Sequence, residues 1–141
     1  MSEVRRVYVE KKPEFAVQAK ALYQEIQNYL GIETVTGVRE LIRYDVENVS
    51  EDIFEKACNG VFAEPPVDVL YHETFSAGAE DRIFAAEFLP GQFDQRADSA
   101  GQCIRFISEE EQPVIRTAVT YVIEGELTDE EFEKIKNHCI N

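Results

Sequence analysis

Apolar side chains recur along this chain with two different periods, and the change from one to the other lays out its elements. Residues 4–10 (VRRVYVE) are β-branched and aromatic and read as a strand. Over 13–30, Phe15, Ala19, Leu22, Ile26 and Tyr29 follow at alternating spacings of four and three, one apolar stripe of a long helix. Gly31 then supplies a C-cap. Period two returns over 35–46, with Val38, Ile42, Tyr44 and Val46 on one face and Arg39, Leu41, Arg43 and Asp45 on the other. One face is core and the other is mixed. A helix over 50–61 and a strand over 67–71 complete the first half.

The second half repeats that order: a strand over 82–88, a helix over 94–107, a strand over 114–123 and a helix over 128–139. Ala97, Ala100, Ile104 and Ile107 give the first of these helices its apolar face. Thr128 with Glu131 makes a capping box at the start of the second. The segment SEDIFEKACN starting at Ser50 aligns with TDEEFEKIKN starting at Thr128, 78 residues later. Pro13-Glu14-Phe15 similarly mirrors Pro90-Gly91-Gln92-Phe93, with one residue more. The expected fold class is therefore α+β, a two-layer sandwich built from a duplicated β-α-β-α-β unit, with pseudo-repeats at about 1–75 and 80–141. The counterpart of strand 67–71 falls past Asn141, so the second unit is expected to lack its last strand. A bare sheet edge recruits other strands, so either an edge-mediated homodimer or weaker order in the second half is expected.

Composition changes little in this picture. The chain has 141 residues, of which 44% are hydrophobic, enough for one domain with a core. Its 14 basic and 28 acidic residues give a net charge of -14, which argues against nucleic acid and anionic membrane as partners. The opening MSEVRR carries no apolar leader, and a cytoplasmic location is expected. Without such a leader, the sequon Asn48-Val49-Ser50 is a chance match.

The polar residues are densest at 89–103 (LPGQFDQRADSAGQC). Leu89-Pro90-Gly91 reads as a strand end turning sharply, because proline fixes φ and glycine takes conformations other residues resist. A helix entered near Asp94 follows, so Gln92, Asp94, Gln95, Arg96, Asp98 and Ser99 crowd a helix N-terminus. Such a cluster either caps and solvates its own helix or meets an anion.

This segment resembles the signature of phosphoribosylformylglycinamidine synthase in its large single-chain form, the glutamine-dependent ligase of purine biosynthesis. Residues 4–12 (VRRVYVEKK) and 37–47 (GVRELIRYDVE) resemble that family's opening segment, and the likeness runs along essentially the whole chain. The resemblance implies that residues 1–141 are the single N-terminal domain of a longer enzyme. The parent converts formylglycinamide ribotide to its amidine with ATP, Mg and ammonia released from glutamine. The domain itself would hold no cofactor, and its partners would be the synthase and glutaminase domains of the same chain. The implied interface or ammonia-route residues are Pro90, Gly91, Gln92, Phe93, Asp94, Gln95, Arg96, Asp98 and Ser99. In relatives that split the enzyme into subunits, a small protein dimerises at this position, and the repeat looks like that dimer fused.

No catalytic, cofactor or metal site emerges from the residues themselves. Neither a P-loop nor G-x-G-x-x-G occurs. Cys58, Cys103 and Cys139 have no zinc spacing and are expected to pack as small hydrophobes. His72 and Glu73 are neighbours on a strand and point to opposite faces, which makes His72 a surface histidine. Glu109-Glu110-Glu111 reads as a solvated loop and Asp129-Glu130-Glu131 as a favourable first helical turn. A free-standing module that binds a small metabolite, with an anion held near Gly91 to Asp94, is the alternative to the architectural reading.

Overall fold

The computed structural model describes residues 3–140, so the outermost positions of the expected repeats, Met1, Ser2 and Asn141, lie outside the described residues. In chain order the elements are β1 (Arg5–Lys11), α1 (Val17–Gln24), β2 (Val35–Glu47), α2 (Glu51–Ala57), β3 (Asp68–His72), β4 (Arg82–Glu87), α3 (Gln95–Ile107), β5 (Val114–Gly125) and α4 (Asp129–Cys139). A 3-10 turn, Pro13–Phe15, leads into α1, and a π-turn, Glu25–Tyr29, continues it. The sheet is antiparallel throughout, in the order β3-β1-β2-β5-β4.

The two longest alternating runs pair with each other at its middle, from Val35↔Gly125 to Glu47↔Val114. Gly125 sits at the irregular end of this ladder with φ 119°, where an added Cβ would lie 2.3 Å from the Thr34 carbonyl oxygen. Only glycine fits there.

All four helices cover one face, which makes the molecule a two-layer α+β sandwich. β3 and β4 are opposite edges, so residues 73–81, which join them, must cross the other face. Phe75 of this strap meets Tyr8 edge-on at 4.8 Å between ring centroids, and Arg39 donates to the Ser76 carbonyl at 2.7 Å. Leu41 and Val122, on the face the strap crosses, have no exposed surface. That explains how an antiparallel sheet with helices on one side keeps apolar residues on the other.

The register shows the duplication directly. Adding 77 to each residue number turns the β1–β2 pairs Arg5↔Val46, Val7↔Tyr44 and Val9↔Ile42 into Arg82↔Ile123, Phe84↔Tyr121 and Ala86↔Val119, which are the observed β4–β5 pairs. The same shift maps Ile42 onto Val119, and these two are paired across the centre of the sheet. The internal two-fold axis therefore passes between Ile42 and Val119. β1 is covered by β3, whereas no strand among the described residues pairs with the outer side of β4, its counterpart.

The halves are not separate packing units. Ala100 and Ile104 of α3 share a core with Val7, Val9, Tyr44 and Val46 and with α2, all from the first half. Leu22 of α1 and Ile26 of the π-turn after it share the other core with Ile32 and Val35 of the first half and with Phe84, Ile123 and Ile135 of the second. Each half lends its first helix to the other. The expected stripes are shortened accordingly: Ala19, Leu22 and Ile26 are buried, but Phe15 and Tyr29 are exposed, as is Ile107 of α3. The α-helix begins only at Val17, and the π-turn rotates Tyr29 away from the 3.6-residue stripe. The helix expected over 50–61 stops at Ala57 and is followed by turns.

If the cores are shared in this way, polypeptides 1–75 and 80–141 made separately should each lack a cooperative thermal transition. Mixing them should restore one at the position of the intact chain, followed by circular dichroism. Independent cooperative unfolding of either half would contradict the exchange.

Candidate functional site

The segment expected to carry function divides between two places. Leu89 and Gln92 close a turn on each other: the Leu89 N–H donates to Gln92 Oε1 at 2.6 Å and the Gln92 N–H to the Leu89 carbonyl at 3.0 Å. Gly91 takes φ 88° within that turn. Asp94 is the N-cap of α3, accepting from the Ala97 N–H at 3.0 Å, as the sequence implies. It also reaches β5, accepting from the Thr117 N–H at 2.7 Å and the Thr117 hydroxyl at 2.8 Å. The acidic charge favoured at this helix end thus comes from within the chain.

Pro90, Gly91, Gln92 and Asp94 wall a pocket of about 620 Å³ together with Arg6, Arg43, Asp45 and Glu87. These four charged residues neutralise one another, whereas Arg116, also in the lining, makes no ion pair among the described residues. Arg6 donates to Asp45 at 2.6 and 3.3 Å, and Arg43 bridges Asp45 at 3.3 Å and Glu87. Around the turn the chain exposes apolar surface: Phe93 is 70% and Leu89 68% accessible, with Phe88 also exposed. Gln95, Asp98 and Ser99 face solvent, and Asp98 accepts from Gln102 at 2.8 Å. Arg96 leaves this group and lines a different space.

That second space is a cavity of about 490 Å³ in the helix layer, lined by the start of α1, Arg96, Tyr44, Tyr121, Glu40, Ile42 and Val119. Burial, with Glu25 nearby, pushes the Glu40 carboxyl pKa up. Burial and then Glu40 push the Tyr121 hydroxyl up to about 12. One residue in the sequence marks this place. Glu40 is the charged interruption in the core-facing series Val38, Ile42, Tyr44, Val46.

The histidines stand apart. His72 is exposed, 6.4 Å from Phe54 between ring centroids, while Glu73 turns away at φ 65° and accepts from the Arg6 N–H at 2.8 Å. His138 lies 2.9 Å from Glu25. Among the described residues no group of His, Cys, Asp and Glu is placed to hold a metal ion, and no helix is long and apolar enough to cross a membrane.

Comparison of the chain with family models, with curated proteins and with solved structures returns no match.

Cys58 and Cys139 are half-buried, and burial raises both thiols to about 11. Cys103, expected in the core, is exposed because it falls on the side of α3 away from Ala100 and Ile104. In mildly alkaline buffer Cys58 and Cys139 should therefore hold roughly a hundredfold less thiolate than free cysteine. Alkylation monitored by mass spectrometry should label Cys103 first. The other two should react only as the pH is raised toward their pKa or the chain is unfolded; equal labelling of all three in the folded chain would contradict this placement.

Asp94→Ala removes a cap and leaves the buried Thr117 N–H and hydroxyl without an acceptor, and should destabilise the chain by about 2 to 4 kcal/mol in denaturant titrations. Asp98→Ala, at an exposed position, should change the midpoint little.

Proposed function

We propose that this chain is the non-catalytic N-terminal domain of a large-type phosphoribosylformylglycinamidine synthase, where it organises the contact between glutaminase and synthase parts and helps wall the ammonia route. The observation that carries the reading is the 77-residue repeat of strand register about an axis at Ile42 and Val119. It is the architecture expected of a dimer fused into one chain, and the sequence likeness to the family's N-terminal segment points the same way. Support for a contact role comes from the 88–93 turn, which displays Phe88, Leu89 and Phe93 beside a polar pocket in which Arg6, Arg43, Asp45 and Glu87 are paired with one another. Large apolar side chains grouped in the open are what a docking surface offers. Ammonia crossing between active sites has to be kept from bulk water, where it is protonated and lost as a nucleophile.

The test is complementation. A large-type synthase lacking its N-terminal domain should regain glutamine-dependent turnover when this chain is added. Phe93→Asp, fully compatible with folding at so exposed a position, should abolish the rescue while turnover with ammonium salt changes less. By itself the chain should neither hydrolyse glutamine nor consume ATP. No rescue by the folded wild-type chain, or rescue undiminished by Phe93→Asp, would count against the assignment.

A second reading, a module that binds a small metabolite, is favoured by one observation: the cavity on the internal axis.

A further inference from the structure

The internal two-fold is broken at the sheet edge, where β3 has no counterpart among the described residues, and again in the helix layer, where the break lies at this cavity. In the second half the cap residue Asp94 closes onto Thr117 with both carboxylate oxygens. The corresponding cap of α1 is Ala16, which makes no side-chain bond, and the strand position 77 residues before Thr117 is Glu40. A methyl stands for a carboxylate and a carboxylate for a hydroxyl. The contact that seals one side of the axis cannot form on the other.

Two unpaired charges face the space that is left. Among the described residues no ion pair or hydrogen bond engages the side chain of Glu40 or of Arg96. Lys11, also in the lining, is neutralised by Asp68 at 3.0 Å. Glu40 lies beside its strand partner Tyr121, while Arg96 acts electrostatically on the Tyr44 hydroxyl. Glu40 and Tyr44 are four residues apart on an extended strand, about 13 Å at the usual rise. The negative and positive groups therefore stand at opposite ends, with Ile42 and Val119 between them.

We infer that this cavity binds a short extended zwitterion, of the size of an ω-amino acid or a dipeptide, with its ammonium on Glu40, its carboxylate on Arg96 and its apolar body over Ile42 and Val119. The volume is in the range of small-molecule sites, and a mostly apolar floor with a few convergent charges is their usual chemistry. A simple amine would leave Arg96 unpaired and a simple carboxylate would leave Glu40 unpaired, so each end contributes selectivity. Desolvation already opposes the charged form of Glu40, and an incoming ammonium reverses that.

The probe is ε-aminocaproate, with hexylamine and caproate as controls, titrated against the full chain by calorimetry and by NMR. Saturable binding of ε-aminocaproate is expected, with resonances of Ile42 and Val119 shifting and each control weaker by about tenfold or more. Glu40→Gln should weaken ε-aminocaproate binding by a similar factor without lowering the melting temperature, since the carboxylate has no partner to lose. Arg96→Ala, at an exposed position, provides a second variant that leaves the core intact and should show the same loss. Absence of saturable binding, binding of hexylamine as tight as that of ε-aminocaproate, or affinity unchanged in both variants would overturn the inference.

Discussion

The pairing of β2 with β5 is the interaction on which the other elements depend. These two strands are the longest in the chain, and they run antiparallel about the Ile42–Val119 pair. Once that ladder is set, β1 can add only to the free side of β2 and β4 only to the free side of β5, in matching register. The connections α1 and α3 join neighbouring antiparallel strands, and both pack on the same face of the sheet. The strap 73–81 has to cross the opposite face, because the strands it joins are the two edges.

The exchange of first helices follows from where apolar surface is available. α1 and the π-turn after it carry Leu22 and Ile26 across the axis to meet Phe84, Ile123 and α4, and α3 carries Ala100 and Ile104 back to meet β1, β2 and α2. Polar contacts reinforce both seams. Lys134 of α4 donates to the Leu30 carbonyl beyond α1 at 3.1 Å, and Asn48 ahead of α2 donates to the Gln112 carbonyl beyond α3 at 2.8 Å. Two small cores joined through a common ladder bury more surface together than either could alone, which is how a duplicated chain of this length gains cooperativity.

Function, on the proposed reading, lies in the departures from symmetry. Tyr44 and Tyr121 are equivalent, as are Ile42 and Val119, and these residues simply furnish matching walls. Asp94 and Ala16 are not equivalent in chemistry, nor are Thr117 and Glu40. The same comparison sets the signature turn apart. It bears Leu89 and Phe93 in the open beside a polar pocket, and Asp94 just after it is anchored to β5, so a surface feature is held by a rigid support.

Much of this was written in local sequence. Alternation fixed the strands, the Thr128–Glu131 box and Asp94 fixed the helix starts, and the matched segments at Ser50 and Thr128 announced the duplication, because caps and periodicity act over a few residues. Local pattern also identified Leu41 as a face apart from Ile42, but not that the 73–81 strap would shelter it. Periodicity assigned Phe15, Tyr29 and Ile107 to the core, and their exposure reflects where the helices start, bulge and end against partners distant in sequence. The exchange of α1 and α3, the parting of Arg96 from Gln92, and the empty place beside Glu40 were decided only by the tertiary structure. Each depends on which surfaces meet across the axis, and a residue's neighbours along the chain carry no record of that.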